Sequence, residues 1–499
     1  MSITGVGSSL FSVQSLVDMR RQLDDLQRQL GSGQKADDYA GVGVERGLAV
    51  GLRQHLSMLG AYDAAVNTVG VRLTLAQTTL GRLADIGHQV KATTLQPTSI
   101  DASGSTLAQK TAYTELDEIL ALLNTQAGDH YLFSGRAIDR PAVETLDHIL
   151  NGDGTRAGFK QIVSERKQAD LGTNGLGRLV VSAPTATSVK VAEDVAGSTF
   201  GFKVTSINST LTGATVTGPA GVPAGLSIDL TAATPSDGET VRYQFALPDG
   251  TSETLTLTAT TSTTPGPDEF TIGLTPTATA ANLQAAVTAS LAKLADTSLT
   301  AASAAASAND FFAVGATQSP QRVAGPPFDT ATTLVAGTSS NTVIWYTGED
   351  AGDPARVTAT AGVDPAITIS YGARANEQGI RWLVQNVATL AAVTFTPTDP
   401  NADERNAALT QRMRINLDVP LGTQKIEDIE ADLAGAQTML AAATDRHRQT
   451  KSTLSDMLQQ IEGVPTEEVA AQIMALQTRL QASLQTTSLL SKISLVNYI

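Results

Sequence analysis

The chain has 499 residues and carries 34 Lys and Arg against 49 Asp and Glu, a formal net charge of −15. This length predicts several domains, and the acidic balance argues against binding to nucleic acid or to an anionic membrane. The sequence contains 0 Cys, which excludes disulfides, thiolate metal sites and cysteine nucleophiles.

The amino-terminal region is predicted to contain a short helix with one apolar seam. The seam residues recur at steps of three and four, as in a coiled coil, and are Leu16, Met19, Leu23, Leu26 and Leu30. Gly31 and Gly33 are expected to end this helix. The following loop carries the run Ala36, Asp37, Asp38, Tyr39, Ala40 and Gly41. Its two adjacent carboxylates are expected to bond to nearby backbone amides rather than to a cation.

The clearest helix is predicted from Leu48 to Thr94, ending before Pro97. The same alternation persists along its whole length, which indicates a long rod segment. Its seam is Leu48, Leu52, His55, Leu59, Tyr62, Val66, Val69, Leu73, Ala76, Leu80, Leu83, Gly87, Val90 and Thr94. A third helix is expected from about Ser105 to Gln126. A short buried strand and turn is then predicted at Tyr131, Leu132, Phe133, Ser134 and Gly135.

From about residue 182 the apolar period changes to two, which predicts β-structure. A hairpin is expected where the strand from Val241 to Leu247 meets Leu255 and Leu257 across Pro248-Asp249-Gly250. Further strands are predicted around residues 200–204, 228–230, 270–274, 343–346 and 367–369, with one helix at residues 280–294. Helices return at about residues 376–393 and 403–417.

The carboxy-terminal region repeats the helical seam. One helix is predicted from Ile426 to Ile461, with seam positions Ile426, Ile429, Leu433, Ala436, Leu440, Ala443, His447, Thr450, Leu454, Met457 and Ile461. After a break at Gly463-Val464-Pro465 the seam restarts at Val469, Ile473, Leu476, Leu480, Ser483, Thr487, Leu490 and Ser494. Beyond Leu489 the apolar stripe widens further than one partner helix can cover, so a further apolar partner is expected.

The predicted fold is α+β and multidomain, an elongated coiled-coil-like bundle of the terminal segments with an inserted β-rich domain. Residues 1–43 are predicted to form an assembly helix and loop, 44–181 a helical rod with a short β-hairpin, 182–375 the variable β-rich insertion, 376–462 the returning rod and 463–499 a second assembly helix. The predicted assembly interface is Leu16, Met19, Leu23, Leu26, Leu30, Ile473, Leu476, Leu480, Leu484, Leu490, Ile493, Leu495 and Val496.

The sequence does not suggest catalysis. Its 5 His are scattered, and none has the spacing of a metal motif. His55 and His447 lie on apolar seams and are expected to be packed side chains. We therefore expect no enzyme activity, no cofactor and no metal. Neither a cleavable secretory signal nor a membrane span is expected from the sequence.

Both ends of the chain resemble the flagellin superfamily, the subunits of the bacterial flagellar filament and of the junction between hook and filament. At residues 12–95, the run Leu30-Gly31-Ser32-Gly33 precedes a loop at residues 36–41 that is similar to the family's A-D-D-A-A-G element. At residues 424–499, the closing residues from Leu489 are similar to the family's apolar ending. The R-I-N-S residues that precede the loop in common flagellins are absent. Residues 131–135 and 476–484 are more similar to hook-associated junction proteins.

The resemblance implies a structural subunit that joins hook to filament for swimming motility. Implied partners are other copies of the chain, neighbouring junction, hook and filament subunits, an export chaperone and the flagellar type III export apparatus. The implied location is the extracellular flagellum, reached without a cleavable signal peptide. The terminal helices would pair in an inner tube, and the β-rich insertion would face outward.

Two other functional interpretations remain open. The first is a filament flagellin with the same fold, which differs from a junction protein in copy number and location. The second is a surface adhesin, in which the Thr-rich insertion binds a ligand and the helices form a stalk. An enzyme carried in the insertion is disfavoured because the chain has no His between His148 and His447.

Overall fold

The structure, a computed structural model, describes residues 4–38, 40–96, 99–231 and 233–496, with side chains from residue 13 to residue 489 within these ranges. The fold is mixed α+β, with long helices near both termini and β-sheets in the middle of the chain. The helices are α1 (Thr4–Ser32), α2 (Arg46–Thr93), α3 (Leu107–Leu123), α4 (Leu146–Asn151), α5 (Phe159–Leu171), α6 (Pro276–Leu294), α7 (Thr300–Phe312), α8 (Gln378–Ala392), α9 (Ala402–Asn416), α10 (Ile426–Glu462) and α11 (Thr466–Val496).

The strands form small antiparallel pairs and two larger sheets. They are β1 (Gln126–Ala127), β2 (His130–Tyr131), β3 (Leu179–Ser182), β4 (Ser188–Glu193), β5 (Lys203–Ser209), β6 (Thr215–Ala220), β7 (Gly225–Asp229), β8 (Thr240–Ala246), β9 (Ser252–Thr260), β10 (Glu269–Thr271), β11 (Gln321–Val323), β12 (Leu334–Ala336), β13 (Thr360–Asp364) and β14 (Ile367–Ser370). The larger sheets have the orders β10-β9-β8-β5 and β3-β4-β7-β6.

The chain divides into two compact units. The first unit comprises Met1–Val69, Ala361–Ile369 and Thr438–Ile499. The second unit comprises Gly70–Thr360 and Ser370–Gln437. Helices α2 and α10 therefore contribute residues to both units, whereas α1 and α11 belong to the first. The β-rich insertion belongs to the second unit except for residues 361–369, which include most of β13 and β14 and belong to the first.

In the first unit, α1 and α11 share an apolar cluster. Leu26, Val469, Ile473 and Leu476 are buried in it, and the partly buried side chains of Met19, Leu23, Val464 and Leu480 pack against them. A second cluster joins the start of α2 to the end of α10 through Ala49, Leu52 and Ile461. Both clusters are thin, because each helix buries only one stripe of side chains.

In the second unit, the insertion has a core built by both larger sheets and α6. The predicted hairpin is confirmed, since β8 and β9 pair with Val241 opposite Leu257 and Tyr243 opposite Leu255. These alternating side chains face the same buried cluster as Phe202 and Leu283. The period of two therefore identified a face that packs inward.

Three helices of the second unit were not predicted. The pattern of α5 is obscured because its charged residues Glu165, Arg166 and Asp170 are buried. Helix α7 is rich in Ala and lies in a region predicted as β-rich, yet Ala is the strongest helix former and nearly the whole helix is buried. The six-residue helix α4 was the third. The short length of α4 leaves too few residues for a periodic signal.

The strand predicted at residues 343–346 is wrong. This segment makes isolated bridges only, and Tyr346 pairs with Val143. Its apolar character comes from Trp345, which is buried with its ring 5.4 Å from that of Phe312 and donates Nε1–H to the Phe312 carbonyl at 3.0 Å. The segment is a core-packing stretch without a regular ladder.

The helical seams are largely confirmed by burial. On α2 the predicted positions from Leu52 onward are buried or half-buried, except for His55, which is exposed; at the start, Ala49 is buried in place of Leu48. On α10 the predicted seam is buried from Ile426 to His447. Beyond it the predicted positions Thr450 and Met457 are exposed, and Leu454, Leu458 and Ile461 turn inward. In the described part of the chain, no helix combines the length and apolar character that a membrane crossing needs.

Candidate assembly surface

Helices α1 and α11 run antiparallel. Gly33 ends α1 with a left-handed backbone, at a φ of 67°, and its N–H donates to the Gln29 carbonyl at 2.8 Å. Gln34 then forms an antiparallel bridge with Gly463, and the Val464 N–H donates to the Gly33 carbonyl at 3.1 Å. The carboxyl end of α1 therefore lies beside the amino end of α11, and their shared cluster extends away from this point.

The predicted interface residues are covered unequally along this helix pair. On α11, Leu476 is buried, Leu480 one turn later is half-buried, and Leu484 another turn later is 54% exposed. On α1, moving in the matching direction, Leu26 is buried, Leu23, Met19 and Leu16 are half-buried, and Val13 is 55% exposed. The next seam positions of α11, Ser483 and Thr487, are still half-buried. The seam is therefore buried most deeply beside the loop, and toward the other end Val13 and Leu484 are exposed apolar side chains beside it.

The other predicted interface residues also differ in how far they are buried. Ile473 is buried in the seam, whereas Leu30 is exposed outside it. Val17, Met474 and Leu489 add further exposed apolar side chains to the pair. The side chains of Leu490, Ile493, Leu495 and Val496 lie outside the described residues.

The loop that contains Asp37, Asp38 and Gly41 is held by a local hydrogen bond and an ion pair. Asp38 accepts a hydrogen bond from the Gly41 N–H at 2.8 Å, the backbone-amide role expected of this pair of carboxylates. Asp37 instead pairs with Arg28 of α1 at 3.0 Å. A side chain on Gly41 would overlap the half-buried Ala36, which explains the glycine. Ala40 is exposed, and Tyr39 lies outside the described residues.

Two long-range contacts fix the position of this loop. The Lys35 N–H donates to the Glu462 carbonyl at 2.7 Å, and its ammonium donates to the Ile461 carbonyl at 2.9 Å. Arg53 of α2 makes a paired contact with the Glu462 carboxylate, at 3.2 and 2.6 Å. The α1–α2 connection and the α10–α11 connection are therefore held together. The bidentate contact of Arg53 fixes the relative position of α2 and the end of α10.

A buried charge cluster lies further along the first unit. His447 is 2% exposed, and its two ring nitrogens each lie 2.7 Å from a carboxylate oxygen, Nδ1 from Asp63 and Nε2 from Asp364. Lys451 also pairs with Asp63, and Arg446 pairs with Asp364 at 2.6 Å. Since a carboxylate oxygen only accepts hydrogen bonds, both ring nitrogens must donate, which requires the charged imidazolium.

The pKa values in this cluster shift together. Burial acts to lower the pKa of His447, but its hydrogen bonds to Asp364 and Asp63 outweigh burial and raise that pKa. The Lys451 hydrogen bond lowers the pKa of Asp63, and the Arg446 hydrogen bond lowers that of Asp364. The cluster joins α2, α10 and β13 by charge. The sequence predicted a packed seam histidine but not its partners, which lie 384 and 83 residues away.

The junction-like motif at residues 131–135 lies in the second unit and is largely internal. Phe133 and Ser134 are fully buried, and the Phe133 carbonyl accepts the Ala375 N–H at 2.8 Å. The strand predicted to begin at Tyr131 is wrong in its bounds, because β2 ends there and residues 132–135 form no regular strand. The Tyr131 N–H donates to the Ile138 carbonyl at 2.9 Å. Leu132 is half-buried, and Gly135 turns the chain with a φ of 66°. The motif therefore shapes the interior of this unit more than its surface.

Among the described residues, no group of three or more His, Asp or Glu is arranged to hold a metal ion. No protein-family model matches the chain, and no curated protein gives a significant match.

Proposed function

We propose that this protein is a structural subunit of the bacterial flagellum, of the hook-associated protein 3 type, that joins hook to filament by helical self-assembly. The observation that carries the proposal is the apolar surface of the α1–α11 pair, which is buried near Leu26 and Leu476 and exposed beside the seam at Val13 and Leu484. Because exposed apolar surface is stabilised by burial at about 25 cal/mol per Å², these exposed side chains favour contact with another subunit.

In this proposal the exposed apolar side chains beside the seam are covered by terminal helices of neighbouring copies, through coiled-coil pairing. Head-to-tail contacts of this kind do not close on a single pair of molecules, and they extend into a helical lattice or a ring. The Gln34–Gly463 bridge and the Val464–Gly33 hydrogen bond support the proposal, because they hold the end of α1 beside the start of α11. The hook and filament would then meet opposite faces of a short stack.

The sharpest test is a single charge beside the seam. Leu484→Lys places an ammonium at a 54% exposed apolar position of α11. Leu274→Lys is the matched control, since Leu274 is fully exposed in the second unit. We expect cells with Leu484→Lys to secrete the subunit, to lose attached filaments and to stop swimming, while Leu274→Lys cells swim normally. Deletion of residues 482–499 should reproduce the loss.

Circular dichroism of the purified variants separates failed assembly from failed folding. Leu484→Lys should retain the wild-type helix content, because this side chain contributes little to the core of one chain. Normal swimming by Leu484→Lys cells that make the variant as their only copy would refute the proposal.

A location experiment distinguishes the junction protein from a filament flagellin. The chain contains 0 Cys, so Thr263→Cys in an exposed turn of the insertion gives one labelling site. A maleimide dye should mark a single spot where hook and filament meet. Label along the whole filament would instead support the filament flagellin.

A further inference from the structure

A cavity of about 360 Å³ lies in the second unit, and nothing in the proposed assembly role uses it. One wall is a single face of α5, where Lys160, Val163, Ser164 and Lys167 follow one another at helical spacing. The remaining lining residues come from α7, from the end of α8 and the segment after it, and from α9; they include Thr300, Ala304, Val393, Phe395 and Arg405. The volume falls in the range of about 300–1,000 Å³ that is usual for small-molecule sites.

The charged groups of the lining are positive, although the whole chain has a net charge of −15. Arg405 is neutralised, because its Nε lies 3.2 Å from Asp296 and its Nη2 pairs with Asp399. Lys160 donates to the Asn151 side chain at 3.0 Å. Lys167 is different: among the described residues, no carboxylate lies within ion-pair distance of its ammonium.

Lys167 is therefore held in an unfavourable setting. Burial lowers the pKa of its ammonium, and the positive charge of Arg405 lowers the pKa further, while Asp296 acts in the opposite direction. A partly buried cation without a counter-ion costs free energy, and an anion placed beside it removes that cost. Lys167 lines the cavity, so an anion bound in the cavity would lie beside this lysine.

The rest of the lining is suited to an apolar group. Val163, Ala304, Val393 and the buried ring of Phe395 present carbon surface to the cavity. A bare inorganic ion would leave this surface in contact with water. A ligand with one anionic group and a compact apolar body would satisfy both parts of the lining.

We propose that this cavity binds a small organic anion, whose carboxylate pairs with the Lys167 ammonium while its apolar body contacts Val163, Ala304 and Phe395. Ser164 lies one turn before Lys167 on the same face of α5 and offers a hydroxyl donor to the same carboxylate. This inference does not depend on the assembly role, because every residue of the cavity belongs to the second unit.

The test compares benzoate with benzamide, which has the same ring but no charge, by isothermal titration calorimetry on the full chain. We expect benzoate to bind and benzamide to bind at least about 10-fold more weakly, because a charged hydrogen bond contributes about 1.5–3 kcal/mol. Equal binding of the two compounds, or binding of neither, would overturn the proposal.

Three variants locate the anion. Lys167→Met keeps the apolar stem and should weaken benzoate binding about 10- to 100-fold. Lys167→Arg keeps the charge and should bind within a few-fold of wild type. Lys190→Met is the matched control, since Lys190 is a half-buried lysine that does not line this cavity. Unchanged benzoate affinity in Lys167→Met would contradict the assignment.

A second readout does not require any variant to fold. In protein labelled with ¹³C-lysine, the pH titration of the Lys167 Cε signal reports the pKa of that ammonium. Saturating benzoate should raise this pKa, because the bound carboxylate stabilises the charged form. A Lys167 titration that benzoate leaves unchanged would place the ligand elsewhere and refute the site.

Discussion

His447 and Asp364 are joined by a 2.7 Å contact from the imidazole Nε2 to the carboxylate Oδ1, and the opposite ring nitrogen is engaged in the same way by Asp63. The histidine is 2% exposed, so neither contact is shared freely with solvent. One charged ring thus holds carboxylates from α2 and β13 against α10. The first unit depends at this point on a charge state as well as on apolar packing.

Replacement of this histidine should open the helices locally. We expect His447→Gln to lower the free energy of local opening around residues 438–462 by about 2–3 kcal/mol, because charged hydrogen bonds are lost and two carboxylates keep only one partner each. Amide hydrogen exchange measured by mass spectrometry gives this free energy. His55→Gln is the control, since His55 is exposed on α2, and it should leave exchange unchanged. Equal protection in His447→Gln and wild type would contradict the role assigned to the cluster.

The same cluster should give a pH dependence above neutrality. The pKa of His447 is raised in the folded chain, so its stabilising contribution is complete below the unfolded value of about 6.5 and is lost as pH rises through the folded pKa. Wild-type protection of residues 438–462, corrected for intrinsic exchange, should therefore fall as pH rises from about 6.5 into the alkaline range. His447→Gln should show no such fall. A fall of the same size in the variant would assign the effect to another group.

The core of the insertion contains a phenol without a hydrogen-bond partner. Tyr243 is fully buried, and its hydroxyl oxygen bonds to no described group. An unsatisfied buried polar group costs about 1–3 kcal/mol, so Tyr243→Phe should raise the free energy of unfolding by an amount in this range. Tyr346→Phe should do the opposite, by about 0.5–1.5 kcal/mol, because the Tyr346 hydroxyl donates to the Glu349 carbonyl at 3.0 Å. Urea unfolding of both variants checks the pair, and loss of stability in Tyr243→Phe would contradict it.

A buried acidic pair makes the second unit sensitive to pH in the acid range. Arg166 contacts Asp170 at 3.0 Å and Asp310 at 2.5 Å. Burial raises the pKa of Asp310 to about 6 against the counteracting charge of Arg166, with the neighbouring Asp170 adding to the rise. A raised carboxyl pKa stabilises the fold fully below the unfolded value of about 3.9, and this contribution is lost as pH rises through about 6.

Asp310→Asn should remove this pH dependence. We expect the stability of wild type relative to Asp310→Asn to fall by about 1–3 kcal/mol between pH values of about 4 and 7. Urea unfolding followed by Trp345 fluorescence reports this core, because Trp345 packs against Phe312, which lies on α7 together with Asp310. The chain has 2 Trp, so both proteins should carry Trp382→Phe. A relative stability that is constant over this pH range would show that Asp310 does not titrate there.

The buried cluster of the seam between α1 and α11 should hold these two helices together within one chain. Leu26→Ala removes a buried side chain from their shared cluster and should lower the free energy of opening of residues 13–38 by about 2–3 kcal/mol. Val17→Ala, at an exposed position of the same helix, should change it by less than about 0.5 kcal/mol. Limited proteolysis within α1 checks both variants. Equal cleavage rates in Leu26→Ala and Val17→Ala would show that this cluster does not hold the pair.

The spacing of apolar residues predicted much of the architecture. On α2 and α10 the positions that recur at three and four are the buried ones over most of each helix, and the alternating residues of β8 and β9 face one core. Periodic burial is a local property, because it follows from the repeat of the helix or strand itself. The apolar seam of α11 and the end of α1 at Gly33 could be predicted from local sequence in the same way.

The helices α5 and α7 escaped prediction for opposite reasons. Helix α5 buries Arg166 and Asp170, so the positions of its charged residues do not show which face of the helix is exposed to solvent. Helix α7 buries Ala and Ser on nearly all sides, so it shows no stripe. In both helices, packing against neighbouring elements decides which side chains are buried, and the period of the helix's own sequence does not.

By itself the sequence determined where the chain forms long amphipathic helices, where it changes to strands, and that an apolar stripe runs along the helices near its two ends. Only the tertiary structure decided that Leu476 is buried between α1 and α11 while Leu484 is exposed, that His447 contacts Asp63 and Asp364, and that Lys167 faces a cavity without a counter-ion. The physical reason is that periodicity records which face of an element avoids water, whereas ion pairs and cavities depend on residues far apart in the chain that leave no repeating signal.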